Sequence, residues 1–227
     1  MGFRRITFGF SAFLSVASVV LFIGVGMNYG IDFKGGSLIE VQTRDGQAAD
    51  IGEIRGRLSD LNIGDIQVQQ FGTESDVLIR VASQEAGDNA EQSVVVKVRG
   101  ELEQDYDIRR VETVGPTVSS ELATQGTIGV LVAFALIMVY IWLRFEWQFA
   151  VGAIIATVHD IVITVGFFVI SGIEFNQSSI AAILTIVGYS LNDTVVVYDR
   201  VREELRRYKK LPLPQLLNNA INLTLSR

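Results

Sequence analysis

Four apolar runs constrain this chain more than any other feature. They cover Ile6–Met27, Gly126–Leu143, Phe149–Ile170 and Ile180–Tyr198, and each is close to the ~20 residues that a helix needs to cross a bilayer. The first run follows Arg4 and Arg5, as the core of a secretory signal does, but its 22 residues exceed such a core. It reads as a retained span, and Thr7, Ser11, Ser15 and Ser18 form a stripe on it suited to close helix contact. The second run belongs to a helix expected to start near Thr117 or Ser119, after the break at Gly115-Pro116. Arg144–Gln148 leaves room only for a tight turn before the third run, with Trp142 and Trp147 at interface depth.

The fourth run carries the most informative residue. From Ile180 to Tyr198 the single charged side chain is Asp193, and a carboxylate in a span costs about 2.5–3.5 kcal/mol on insertion scales. Asp199 is followed by Arg200, Arg202, Arg206, Arg207, Lys209 and Lys210. If Asp199 marks the boundary, Asp193 lies about 9 Å inside it, at 1.5 Å per residue. Thr185, Tyr189, Asn192 and Asp193 share one broad helix face, because steps of three and four return to the same side. Asp193 is either a hydrogen-bond partner for a neighbouring helix or an ion or proton site, and the second is the default for an intramembrane acid.

The third run holds His159 and Asp160 near its centre. Consecutive residues point to different sides of a helix, so the two are not expected to form one site. Asp160 shares a face with Thr157 and Thr164, a polar seam against another helix, and either a structural hydrogen bond or a proton-handling role fits it. A lone histidine without a second kind of ligand nearby does not suggest a metal.

Charge is unevenly placed. Of 25 acidic and 19 basic residues, 18 acidic and nine basic lie between Asp32 and Glu121. An acidic water-facing domain is therefore inserted into a membrane protein with basic ends, and nothing favours nucleic acid. The absence of Cys excludes a disulfide framework or a cysteine metal site. Asn28–Gly36 leads out of the first span. It lacks the Lys-Ser or Lys-Thr of a phosphate loop, so it reads as a tight turn, with Gly30, Gly35 and Gly36 permitting unusual backbone angles.

Residues 37–114 alternate in period. Ser37–Thr43 reads as a strand with Ile39 and Val41 on one face, and Ala48–Leu61 as a helix with Ile51, Ile54 and Leu58 in step. Asp65–Gly72 and Asp76–Ala82 read as strands joined by a turn containing Gly72 and Ser75. Asn89–Tyr106 reads as a helix and Ile108–Val114 as a strand. The expected fold class is thus an α-helical multi-span membrane protein with an inserted α+β exterior domain, ferredoxin-like in its βαββαβ order. The parts are a first transmembrane helix over 1–29, the exterior domain over 30–116, transmembrane helices two to four over 117–198, and a basic amphipathic segment over 199–227. Arg4, Arg5, Arg144 and the Arg200–Lys210 cluster fall on one side of four alternating spans, which makes that side, with the N-terminus, cytoplasmic and residues 30–120 exterior. No catalytic constellation and no cofactor or metal site is expected in the exterior domain.

GIDFKGG after the first span, VGPTVSSEL before the second and VGYSLNDTVVVYDRVRE at the end of the fourth resemble the SecD/SecF family of bacterial protein-export membrane proteins. The resemblance covers essentially the whole chain, and the single short exterior domain points to the SecF branch. The family motif falls on Gly30, Asp32, Phe33, Gly35 and Gly36. The resemblance implies a six-span protein of the resistance-nodulation-division type in the inner membrane. Its implied partners are SecD as a heterodimer, the SecYEG channel, a translocating unfolded polypeptide and the lipid bilayer, with proton-motive force as the driving energy. It places the family's functional acid on Asp193 and its functional arginine, in a Leu-x-Arg motif opening a fifth span, on Arg227. Two further spans would then follow Arg227, so the sequence is expected to be part of a longer chain. Pairing with Arg227 and burial would act in opposite senses on the readiness of Asp193 to hold a proton. The rival functions are a proton-coupled small-molecule or lipid exporter of the same superfamily and a purely structural anchor for SecD.

Overall fold

A computed structural model describes residues 3–83 and 88–225. The chain divides into a helical unit, Met1–Asn28 with Gly129–Arg227, and a second unit, Tyr29–Ile128. In order, the elements are α1 (Arg4–Gly24), α2 (Ile31–Lys34), β1 (Gly36–Thr43), α3 (Ile51–Ser59), β2 (Ile66–Phe71), β3 (Thr73–Ala82), α4 (Asp88–Leu102), β4 (Tyr106–Val114), α5 (Pro116–Arg144), α6 (Trp147–Ser171), α7 (Gln177–Arg207) and α8 (Leu213–Thr224).

In the second unit the four strands form one sheet in the order β2-β3-β1-β4, antiparallel at every pairing. Ile39 of β1 stands opposite Ile79 of β3 and Val111 of β4. With Val41, Val77 and Val81 it meets Ile54 and Leu58 of α3 and Val94, Val98 and Leu102 of α4 in one core. The strand and helix faces read from the alternation are the buried ones. The boundaries differ for local reasons. The first helix begins at Ile51 because the Asp50 carboxylate accepts from the amides of Gly52 and Glu53 and caps it. Tyr106 leaves the second helix to enter the core as the first residue of β4, 7% exposed. Ser75 lies inside β3 and not in the hairpin turn, which narrows to Gly72 at φ +74°.

The glycine pair ahead of β1 has a steric basis. α2 is one turn, ended by Gly35 at φ +73°, and Gly36 follows at φ +123°. Gly36 already pairs with Ala82 and Val114 on its two neighbours. A Cβ there would stand 2.3 Å from the Val81 carbonyl oxygen, and one on Gly35 would stand 3.1 Å from Ser83 Cβ and 3.2 Å from Ser119 Oγ. Gly30 does not share this need: its φ is −74°, so the unusual angles fall on Gly35 and Gly36 alone. Phe33 stacks edge-on against Tyr29, with ring centroids 6.3 Å apart, and Asp32 is the acidic residue of the short helix's first turn.

Four helices of the chain, α1, α5, α6 and α7, are long and apolar enough to cross a membrane. α6 is the most enclosed: 22% of its apolar window is buried, against 6% for each of the others. It packs against α1 on one side and α7 on another. Only Phe145 and Glu146 separate α5 from α6, a shorter turn than the sequence suggests. The chain leaving α1 is tied to the α6–α7 turn, where the Asn28 side chain donates to Gly172 O at 3.0 Å and the Phe175 amide donates to Asn28 O at 2.8 Å. α7 starts at an Asn176–Ser179 capping box and continues unbroken through Asp199 to Arg207. Its 31 residues are about 46 Å long, beyond the ~30 Å hydrocarbon thickness, so its charged end projects from the apolar layer. α8 folds back on that end through Leu216 and Ala220 against Val201.

Residues 30–116 produced alone are expected to fold, since sheet and helices share one core. In that fragment Gly36→Ala should lower the unfolding free energy by about 2 kcal/mol or more, from left-handed strain plus the carbonyl clash. Gly100→Ala, in the helical position with open space around it, should raise it by about 0.5–1 kcal/mol. Urea unfolding followed by circular dichroism measures both; equal midpoints for the two variants would refute the steric reading.

Candidate functional site

The centre of α6 is its polar point. His159 is the thirteenth of its 25 residues, about 18 Å from either end at helical rise. Contrary to the expectation that consecutive residues diverge, His159 Nδ1 turns back to Asp160 Oδ1 at 2.9 Å. The imidazole is long enough to span the ~100° that separates neighbours on a helix. On its other side His159 Nε2 meets Ser11 Oγ of α1 at 2.5 Å. The second carboxylate oxygen of Asp160 accepts a short hydrogen bond from Ser190 Oγ of α7. Four side chains from three helices thus form one continuous run: Ser11, His159, Asp160, Ser190. Thr164 Oγ1 donates to the Asp160 carbonyl at 2.7 Å and Thr157, fully buried, donates to Ala153 O at 2.9 Å, so the seam around Asp160 is polar but internally satisfied.

Close packing makes this run possible. A Cβ on Gly166 would stand 2.1 Å from Ser18 Oγ and 3.1 Å from Ser18 Cα, so α1 passes against bare backbone there. Ser11–His159 and Ser18–Gly166 are both seven residues apart in the same sense, which makes α1 and α6 parallel and in register. Asp160–Ser190 and Gly152–Tyr198 run in opposite senses, which makes α7 antiparallel. The Tyr198 ring lies 5.1 Å from that of Phe149 and 6.0 Å from that of Phe145, against the α5–α6 turn. Ser11 and Ser18 therefore serve the contact that the serine stripe suggests, whereas Thr7 is exposed and bonded to its own helix.

Asp193 stands elsewhere. It is exposed, as are Thr185, Asn192 and Tyr189, the last at 71%. Thr185 bonds back to Ala181 O at 2.8 Å. Among the described residues, Asn192 and Asp193 have no hydrogen-bond or ion-pair partner. Asp193 follows Ser190 by three residues, so it lies about one helical turn from the residue that bonds Asp160. Arg227 lies outside the described residues. Ser190 is the site residue that sequence reasoning missed; its place one turn before Asp193 was the available signal.

At the end of α7 the charges pair among themselves. Arg144 reaches Asp199 at 2.9 Å, Arg202 lies 3.7 Å from Asp199 and 4.0 Å from Glu146, and Arg200 joins Glu203 at 2.6 Å and the buried Glu204 at 3.1 Å. The exposed pairs among these contribute about 0–1 kcal/mol each, whereas Glu204 is buried and needs Arg200 as the partner of its charge.

Gly166→Ala should lower the melting temperature of the detergent-solubilised protein, with a cost of about 1–3 kcal/mol for overpacking. Ser18→Gly in the same chain should restore most of it. Gly152→Ala should cost less, because the obstacle is the hydroxyl tip of Tyr198 at 2.5 Å. Additive effects of Gly166→Ala and Ser18→Gly would contradict the crossing.

Residues 94–227 match the family model for the protein export membrane protein SecD/SecF, C-terminal, and residues 20–46 match that for the SecD/SecF GG motif. The chain is 51% identical over 227 residues to the protein translocase subunit SecDF of Brucella abortus, spanning 30% of that protein. It is 44% identical over 232 residues to the protein translocase subunit SecF of Rickettsia bellii, spanning 75% of it. A crystal structure of SecDF from Thermus thermophilus, described as a translocon-associated membrane protein, superposes with a TM-score of 0.86 at 30% identity; it covers all of this chain and 31% of the other. The glycine pair, α5, α6 and α7 lie within the segments matched by the family models, and the chain belongs to the SecD/SecF family of protein-export membrane proteins.

Proposed function

We propose that this protein is the SecF-type half of a SecD–SecF pair in the bacterial inner membrane, and that the pair uses the proton-motive force to help unfolded polypeptides across through the SecYEG channel. It acts by conformational change without covalent chemistry. The observation that carries the reading is the face of α7. Asp193, Asn192, Tyr189 and Thr185 are all exposed along a helix of membrane-spanning length. In hydrocarbon such a face needs polar company, and translocase subunits named SecF and SecDF are what the whole chain is similar to. Helices of SecD or later spans of this subunit supply that company. Arg227 is assigned as the cation that pairs with Asp193, and Asp160 as an auxiliary member of the relay. Protonation of Asp193 removes a charge from the helix contact and shifts the balance between two packings of α7.

The exterior domain is assigned as ferredoxin-like, supported by its β1-α3-β2-β3-α4-β4 sequence and the β2-β3-β1-β4 strand order. We place residues 30–120 in the periplasm. Arg4, Arg5, the Phe145–Glu146 turn and the Arg200–Lys210 cluster lie toward one end of the helical unit, and basic residues favour the cytoplasmic side. A cysteine at the exposed Asp60 should react with an impermeant reagent added outside, and one at Lys209 only after permeabilisation; the reverse pattern would overturn the orientation.

Asp193→Asn keeps the size of the side chain and removes its charge. Association with SecD should survive, because a membrane hydrogen bond contributes only about 0.6 kcal/mol on average. In vesicles carrying the full-length pair, stimulation of reporter export by an imposed proton gradient should fall to the level seen without a gradient, while ATP-driven translocation continues. A variant that assembles and keeps its full response to the gradient would refute the role of Asp193. Gradient-driven release of a lipophilic dye with no effect on protein export would instead favour a small-molecule or lipid exporter.

A further inference from the structure

We propose that Ser11, His159, Asp160 and Ser190 form a second proton-binding site, separate from Asp193, whose occupancy is read by α1 through the direction of one hydroxyl. The proposal rests on the reading that this subunit responds to protons, and it adds where a proton is held and which helix senses it.

The geometry fixes the hydrogen-bond directions. A carboxylate at 2.9 Å requires Nδ1 of His159 to carry hydrogen, so in the neutral ring Nε2 has a free lone pair and must accept from Ser11 Oγ at 2.5 Å. Ser190 donates to the other oxygen of Asp160. In this empty state the site carries a net charge of −1, spread over a carboxylate with two donors. When one proton arrives it binds Nε2, the site becomes a net-neutral imidazolium–carboxylate pair, and no other bond is broken. Nε2–H now donates, so Ser11 Oγ must accept, and its hydroxyl hydrogen turns away from His159. Ser15 Oγ donates to the Ser11 carbonyl at 3.0 Å, which leaves the Ser11 hydroxyl itself free to reverse.

The surroundings suit such a site. About two thirds of each side chain is buried within this chain, 33% of His159 and 34% of Asp160 remaining open. Other titratable groups are few. α6 has none besides this pair, and α1 has none between Ile6 and Met27, its Arg4 and Arg5 lying six or more residues before Ser11. α7 brings Tyr189 and Asp193 beside Ser190, with Tyr198 and Asp199 two turns further on, and the apolar part of α5 brings only Tyr140.

His159 is the single histidine in these 227 residues, so ¹⁵N-histidine labelling isolates it, and the His159→Gln spectrum identifies its signal in a longer chain. The full-length protein paired with unlabelled SecD in bilayers is followed by solid-state NMR between about pH 5 and pH 8, the range in which histidine changes charge. The expected result is one neutral tautomer, hydrogen on Nδ1, at the alkaline end and hydrogen on both nitrogens at the acid end. Ser11→Ala should move the Nε2 resonance and leave Nδ1 in place. Asp160→Asn should release the tautomer, because a carboxamide can donate or accept. A neutral ring with hydrogen on Nε2, a ring that stays neutral throughout, or an Nε2 signal indifferent to Ser11→Ala would overturn the proposal. Should Asp160→Asn not fold, Ser11→Ala, which removes one hydroxyl, still decides. Asp193→Asn separates the two readings: retained gradient response with the expected His159 spectrum refutes the relay at Asp193 alone, and lost response with a wrong tautomer refutes this site alone.

Discussion

An ionisable side chain in the middle of a membrane helix needs hydrogen-bond partners, and for Asp160 they come from two directions. His159 supplies one from the same helix and Ser190 supplies the other from α7, while Ser11 of α1 completes the shell of the imidazole. Such contacts require helices to approach closely, which lipid-like side chains would prevent. Ser18 against Gly166 provides the approach for α1, and Gly152 beneath the Tyr198 hydroxyl provides it for α7. α6 is accordingly the helix around which the other two are set, and its higher burial follows from having neighbours on two faces.

The sheet domain depends on a different restriction, sterics at one backbone position. β1 is a central strand, hydrogen-bonded to β3 on one side and β4 on the other from its first residue. The chain reaches it from a single helical turn and must reverse within two residues. Only glycine permits φ of +73° followed by +123° beside a carbonyl oxygen that a Cβ would overlap. The GG pair is therefore explained by backbone packing, with no need for a bound phosphate.

Residues that announce themselves by period or cost were legible in the sequence. Four spans, the buried faces of β1 and α3, the serine stripe of α1 and the oddity of Asp160 and Asp193 all follow from hydropathy and helix geometry. What escaped depends on partners from distant segments. Ser11 and His159 are 148 residues apart, and nothing local in either says that they meet. The reach of the imidazole back to Asp160 is a rotamer property, invisible to a rule about residue spacing. Gly30 looked like the other motif glycines, but its ordinary φ shows that a shared motif does not mean a shared reason. Tyr106 extended a helical pattern in the sequence but opens β4, where its ring is buried in the core shared by sheet and helices.

α7 links the two halves of the helical chemistry. Ser190 bonds inward to Asp160, and Asp193, one turn later, is exposed. Because a helix is stiff over such a distance, any rotation or slide of α7 that gives Asp193 a new partner must also strain or break the Ser190 contact. The inner contact joins side chains of two helices, Ser190 of α7 and Asp160 of α6. It ties α7 to α6 at this level of the helical unit. The α1–α6 crossing is held separately, by the packing of Ser18 on Gly166.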